Sequence, residues 1–275
     1  MKIVPASGFG ADALAACFTA AFDGYLAGSI AMDATTLPRF VARQGADLGL
    51  SRCVVDDAGA LAGLCFVGEF ARRRRVGGMG VLALARGTGA AGLLLRHVID
   101  EARTDGLDAV ELEVFAQNEP AVRLYRAHGF AELAPLWGFE RAPGAAGPAE
   151  VAPKRIAARC AARWLQARGH PDLPYQVSGH ALVHADPAST LWRIGRGLVQ
   201  FAEVAPQRLS IGLLNDLDRA QHDARRLLGA VIAAHPAHTL RAPQLMRDDV
   251  AGAALRAMGF QPLPLHQLQM RLALR

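Results

Sequence analysis

The chain has 275 residues, 52% hydrophobic and 20% charged, with a formal net charge of +5. That composition excludes a disordered chain, and the length suits two domains of ordinary size. No apolar run reaches the roughly 20 residues that span a bilayer, no apolar core follows Lys2 as in a secretory signal, and the mild positive charge does not by itself require a nucleic-acid partner.

Lys2–Val4 reads as a short strand. Two helical patterns follow, at about 11–26 and 35–46. Strand runs come next at Arg52–Val55, Leu61–Phe66 and Val76–Ala83, the first two joined as a hairpin by Asp56-Asp57-Ala58-Gly59. A glycine-rich turn at 86–92 opens a helix with Leu94, Leu95, Val98, Ile99 and Ala102 at helical spacing. Ala109–Phe115 is a strand. A short helix runs from about Glu119 to His128, with Asn118 as N-cap, Pro120 in the first turn and Gly129 at the C-terminal cap.

Residues Arg141 to Lys154 read RAPGAAGPAEVAPK. Three prolines and two glycines among small residues predict a linker. The expected domains are therefore 1–142 and 155–275. The second carries a helix at Arg155–Arg168 and strands near 181–185, 190–194, 198–204 and 208–214. A helix near 220–234, a strand near 239–242, a helix near 248–258 and a strand near 267–273 complete it. This order repeats the end of the first half.

The four cysteines, Cys17, Cys53, Cys65 and Cys160, form no CxxC pair and no metal-ligand spacing, so a reduced cytoplasmic compartment without a bound metal is expected. His180 and His184, on an extended strand, would stand about 13 Å apart, too far to share one metal. The run Ala71-Arg72-Arg73-Arg74-Arg75 reads as a solvated hairpin turn. The sharper alternative is attraction of an acidic acceptor, a ligand phosphate or nucleic acid.

The strongest chemical feature is Arg86-Gly87-Thr88-Gly89-Ala90-Ala91-Gly92, between a strand and a helix. Glycines let backbone amides approach an anion closely, the helix N-terminus adds a favourable dipole, and Arg86 can add a charged contact. A phosphate or pyrophosphate site is expected. The same glycines match the dinucleotide pattern GxGxxG, and Glu113 lies where a ribose-binding acid would. But about 80 residues of mainly strand and hairpin precede the turn, whereas that fingerprint opens its βαβ unit. The pattern GxxxxGK[ST] is absent.

A second motif follows in LEVFAQNEPAVRLYRAHGF: Leu112-Glu113-Val114, then Asn118, Ala121, Leu124, Tyr125, Gly129 and Phe130. With RGTGAAG it resembles the GNAT superfamily of N-acetyltransferases, over residues 1 to about 140. The resemblance implies an α+β fold, a mixed and mostly antiparallel sheet flanked by helices, with acetyl-CoA as cosubstrate. The turn Arg86, Gly87, Thr88, Gly89, Ala90 and Ala91 would hold the CoA pyrophosphate through main-chain amides. Met79, Gly80 and Val81 would bind the pantetheine through backbone hydrogen bonds, and Asn118 would contact the CoA arm. Tyr125 would protonate the leaving thiolate, which suits a phenol of ordinary pKa about 10.

The sequence departs from many family members in one respect. Val76-Gly77-Gly78-Met79-Gly80-Val81 carries no carboxylate. Glu69 is the candidate base, with Glu111, Glu113 or a positioned water as alternatives. The expected reaction is transfer of an acetyl group to a primary amine, on a small molecule or a peptide, by direct attack in a ternary complex. The alternative is a non-catalytic acyl-CoA-binding module, and the basic run suggests a third, nucleic-acid-associated role, which is not favoured.

The second half reads as a worn copy. LDRAQHDARRLLGAVI, Leu217 to Ile232, aligns with LARGTGAAGLLLRHVI. Arg219 falls on Arg86, but Ala220 and His222 replace Gly87 and Gly89, and Asp218 and Asp223 add negative charge. Leu255 falls on Tyr125 and Asp248 on Asn118. A GNAT-like domain that has lost CoA binding is expected.

Overall fold

A computed structural model describes residues 1–144 and 150–275. The chain forms two compact units: Met1–Leu133 with Gln269–Arg275, and Ala134–Leu268.

The first unit opens with β1 (Lys2–Pro5), α1 (Ala11–Ala21) and α2 (Leu37–Arg43). Along α1, Leu14, Ala15, Cys17, Phe18 and Ala21 recur at helical spacing and are buried. Leu14 and Phe18 pack with Cys53, Leu64 and Phe66 in one core. The expected helix over 11–26 stops at Ala21, because Phe22 caps it and Gly24 takes a left-handed φ of 65°.

β2 (Ala46–Val55) and β3 (Leu61–Phe70) form the expected hairpin. Asp56 Oδ1 closes its turn by accepting the amides of Ala58 and Ala60. β4 (Arg73–Val81) pairs antiparallel with β3 through a two-residue turn, Ala71 and Arg72, with φ 46° and 59°. Two left-handed residues in succession are the backbone of a tight hairpin. The basic run is therefore not a solvated turn: only Arg72 occupies it, and Arg74 and Arg75 are buried.

α3 (Ala90–Thr104) crosses over to β5 (Ala109–Phe115), which pairs parallel with β4. Leu94, Leu95, Val98, Ile99 and Ala102 are buried along α3, as their spacing predicts. α4 (Glu119–Ala127) follows. Then β6 (Ala131–Arg141), a strand absent from the sequence reading, carries the chain into the second unit. Sheet order in the first unit is β1-β2-β3-β4-β5, with the final strand of the chain beside β5.

The second unit contains β7 (Lys154–Arg155), α5 (Ala158–Arg168), β8 (Thr190–Ile194), β9 (Gly197–Ala205) and β10 (Arg208–Asp216). It continues with α6 (His222–Ala234), β11 (Thr239–Met246), a π-type turn at Asp248–Gly252, α7 (Ala253–Ala257) and β12 (Gln261–Ala273), whose end belongs to the first unit. β8, β9 and β10 form an antiparallel meander, and β10 pairs parallel with β11 after α6 crosses over. This repeats the order of β2 to β5. Leu227, Leu228 and Val231 of α6 pack with Leu198, Ile211 and Leu213 in the unit's core.

Two further expectations are corrected. The division into units falls at Leu133 and Ala134 rather than within 141–154, because β6 runs to Arg141 and pairs Arg141 with Leu240. Residues 145–149 of the expected linker lie outside the described residues. The strand expected at 181–185 is a 3-10 turn at Ala181–His184, so His180 and His184 share no strand.

Candidate functional site

The turn before α3 is built by its glycines. Gly87 and Gly89 have φ of 78° and 88°, a region open to glycine and strained for other residues. Gly89 is the N-cap of α3. The amides of Arg86 and Thr88 are used inside the turn, by Ala83 O and Ala85 O, and Thr88 Oγ1 also donates to Ala85 O at 2.8 Å. Leu93 N donates to Gly89 O. The amides of Ala90, Ala91 and Gly92 open the helix and have no carbonyl four residues earlier within it. They present a positive end suited to an anion. Arg86 is exposed at the rim, but its Nη2 donates to Ala21 O, the last carbonyl of α1, at 3.2 Å. In this conformation its guanidinium caps α1.

β4 leads into that turn with one edge open. Its parallel pairing with β5 runs from Arg73–Ala109 to Val76–Leu112 and stops. At the same level the β3–β4 register shifts between Phe66 and Val67, leaving Gly77 as a bulge. Bulges bend a strand and end its pairing. Beyond it, Met79, Gly80 and Val81 pair on one side with Cys65, Leu64 and Gly63. Their other edge faces the gap between β4 and β5. Gly80 lets α1 come close: a Cβ there would stand 2.9 Å from the Ala21 Cβ and 3.0 Å from the Phe22 ring.

Tyr125 projects from α4 and is buried. Its ring meets Phe130 edge-on at 5.8 Å. Burial pushes its phenol well above the ordinary value, and Cys65 and Tyr25 add to the shift electrostatically. Asn118 caps α4, its Oδ1 accepting Ala121 N at 3.4 Å. The Asn118 side chain also bonds the Tyr25 hydroxyl; burial raises the Tyr25 phenol and this bond lowers it, as an amide N–H donated to the phenol oxygen does. The Tyr25 ring lies edge-on to Phe115, at the end of β5, with centroids 6.1 Å apart. Tyr25, Asn118 and Tyr125 thus gather beside the open end of the sheet. Tyr25 is the residue that sequence reading missed; its only signal was an aromatic side chain in the short polar stretch Asp23-Gly24-Tyr25.

The candidate bases are engaged elsewhere. Glu69 pairs across the hairpin with Arg74 at 3.3 Å. Arg74 precedes Met79 by about 16 Å of extended strand, so Glu69 stands at the closed end of the β4–β5 pairing, away from Tyr125. Glu113 holds Arg75 at 2.5 Å, with its side chain only 5% exposed. Glu111, which is buried, accepts Arg271 Nη2 at 2.5 Å and Arg73 Nη1 at 3.2 Å. Burial raises the Glu111 carboxyl, and Arg271 and Arg73 offset that rise. Arg73 and Arg75 with Glu111 and Glu113 are an internal ion-pair set, whereas Arg72 and Glu69 are exposed.

In the second unit, the turn before α6 has different chemistry. Gln221, not glycine, takes the left-handed N-cap with φ 53°. Its side chain bridges Asp248 O and Ala254 N. Asp216 Oδ2 accepts Ala224 N at 2.9 Å, placing a carboxylate on the first turn of α6. Asp223 Oδ2 accepts Arg196 N at 2.9 Å. Leu255 is buried in the core. Sequence alignment had marked Asp218 and Asp223; the carboxylate that occupies a helix amide is Asp216.

Among the described residues no group of three or more His, Cys, Asp and Glu side chains is placed to hold a metal, and no helix is long and apolar enough to cross a membrane.

Residues 10–130 match the profile of the Acetyltransferase (GNAT) family. No curated protein matches the chain in sequence. The fold is that of solved GCN5-related N-acetyltransferases. One from Sphaerobacter thermophilus aligns with a TM-score of 0.68 at 18% identity, over 99% of this chain and 94% of that one. Another, from Anabaena variabilis ATCC 29413, aligns with a TM-score of 0.66 at 15% identity, over 100% of this chain and 73% of that one.

Proposed function

We propose that the first unit is an N-acetyltransferase that moves the acetyl group of acetyl-CoA to a primary amine, on a small molecule or a peptide. The observation that carries this reading is one continuous path: the open edge of β4 at Met79, Gly80 and Val81 leads to the amide-lined turn at 86–92, with Tyr125 beside the opening. The turn suits the CoA pyrophosphate, and the unpaired strand edge suits the pantetheine amides, which need donors and acceptors in series. Arg86 spends Nη2 on Ala21 O, which leaves Nε and Nη1 to reach a phosphate. Asn118 supports the site by holding Tyr25 and the start of α4.

In the reaction the amine lone pair attacks the thioester carbonyl within a ternary complex. A C–N bond forms, the C–S bond breaks, and Tyr125 gives its proton to the departing thiolate. Its raised pKa keeps it protonated for that purpose. With Glu69, Glu111 and Glu113 held in ion pairs, the amine's proton leaves through water.

That engagement of the three candidate carboxylates favours a second reading, an acyl-CoA-binding module without turnover. Thiol release from acetyl-CoA by the full chain, measured across a panel of amines, separates the two. Amine-dependent release supports the enzyme. Saturable CoA binding without release from any amine assigns the module, and absence of CoA binding overturns both. We also infer that the second unit is a GNAT-like domain without a CoA site, that a nucleic-acid partner is not needed, and that the protein works in the cytoplasm.

A further inference from the structure

The second unit has a cleft of about 890 Å³ at the open ends of β8 and β10, lined also by α5, the turn before α6 and the Asp248–Gly252 turn. That volume is of the size that takes a small organic ligand. Its charges are unevenly matched. Arg168, Arg193, Arg196 and Arg219 line it, against Asp216, Asp248 and Asp249. Asp248 is paired with Arg256, and Asp249 with Arg247 at 2.8 Å, both arginines lying outside the lining. Asp216 is buried, and its two oxygens accept the amides of Asp218 and Ala224 at 2.9 Å. The carboxylates are thus spoken for.

The arginines are only partly engaged. Arg168 ends α5, where its charge suits the helix dipole, and Arg219 sits in the turn before α6; both are exposed. Neither side chain has a bonding partner among the described residues. Arg193 lies over the Trp164 ring at 4.9 Å, and its Nε donates to Gly195 O at 3.0 Å, which fixes the plane of the guanidinium. The outward nitrogens of such a group are arranged for two parallel bonds to a carboxylate or phosphate. Arg196 spends one nitrogen on Leu217 O.

We propose that this cleft binds a small organic anion bearing carboxylate or phosphate groups, through Arg168, Arg193 and Arg219. It is not a second CoA site, because Asp216 takes the Ala224 amide in the first turn of α6 and sets a carboxylate where a pyrophosphate would bind. The second unit has exchanged a phosphate-binding helix end for side-chain guanidinium groups.

The test is calorimetric titration of the full chain with inorganic phosphate and, separately, citrate, at constant ionic strength. It compares wild type with Gly89→Glu, which blocks the turn of the first unit, and with the double variant Arg168→Ala/Arg219→Ala. Both substituted arginines are exposed, so the fold should survive, and circular dichroism checks it. The expected result is saturable binding of at least one probe by wild type and Gly89→Glu alike, weakened at least about tenfold in the double variant. Preference between the probes tells phosphate from carboxylate chemistry. The proposal is overturned if neither probe binds saturably, if binding disappears with Gly89→Glu, or if the double variant binds as wild type does. Two equivalents of acetyl-CoA per chain, the second lost in the double variant, would overturn it as well.

Discussion

Tyr125 shows what burial does to a phenol. In water it would begin to ionise near pH 10. Buried against Phe130, with Cys65 and Tyr25 adding to the shift electrostatically, it keeps its proton further into alkali, because the charged form is poorly solvated. A donor that stays protonated is useful only if the thiolate arrives beside it. Tyr125→Phe removes the hydroxyl and keeps the ring, so the fold should hold. With an accepted amine, turnover should fall by about 10²–10⁴-fold when chemistry limits the rate. The wild-type pH profile should show no alkaline loss from this group below about pH 10. Turnover of Tyr125→Phe within a few-fold of wild type would remove Tyr125 from the chemistry. The residue was legible because Asn118, Ala121, Leu124 and Tyr125 sit in a spaced pattern. Tyr25 was not, since its bond to Asn118 spans distant parts of the chain and leaves no local spacing to read.

At the scale of elements, the turn at 86–92 was readable because positive φ has a residue signature. Gly87 and Gly89 adopt the left-handed conformations that only glycine takes without strain. Gly89→Glu should combine that strain with a negative charge at the helix N-terminus. Calorimetry should show CoA affinity lost while circular dichroism stays native. Unchanged affinity in a folded variant would move the pyrophosphate elsewhere. The arginine run was misread for a complementary reason. Charge runs are usually solvated, and sequence alone could not show that Glu111 and Glu113, two strand positions apart on β5, turn the same way as Arg73 and Arg75. The β-bulge at Gly77 was equally hidden, because it exists only as a mismatch between β3 and β4. The helix crossovers and the hairpin at Asp56 were legible from periodicity and turn chemistry, whereas β6, with Pro135 and Gly138 in it, hid its strand character.

For the whole molecule, sequence order and spatial membership differ. The last seven residues, Gln269–Arg275, belong to the first unit. Leu274 N donates to Asp108 O at 3.0 Å, Arg275 Nη2 donates to Gly106 O at 2.8 Å, and Arg271 reaches the buried Glu111. No linker argument from residues 141–154 could anticipate this. A fragment ending at residue 142 would therefore lack a strand and leave Glu111 with Arg73 alone, so a CoA-binding test belongs on the full chain. There, one equivalent of acetyl-CoA per chain is expected, since Asp216 takes the helix amide that a second pyrophosphate would use. Arg271→Met tests the anchoring of the last strand itself. The methionine keeps much of the apolar stem but not the charge, and uncompensated burial of Glu111 should cost about 1–3 kcal/mol, less than a fully broken buried pair because Arg73 remains. The pH dependence has a definite sign. Burial already raises the Glu111 carboxyl, and losing Arg271 removes a cause that lowers it. A carboxyl with a raised folded-state pKa holds a proton that the unfolded chain releases, so stability falls as pH rises through that range. The deficit of Arg271→Met should therefore be full at neutral pH and shrink as acidification protonates Glu111. Urea unfolding of both proteins at pH 7.5 and at pH 5 measures it. An equal deficit at the two pH values would show that the strand is held by its backbone and packing, and that the Arg271–Glu111 pair adds little.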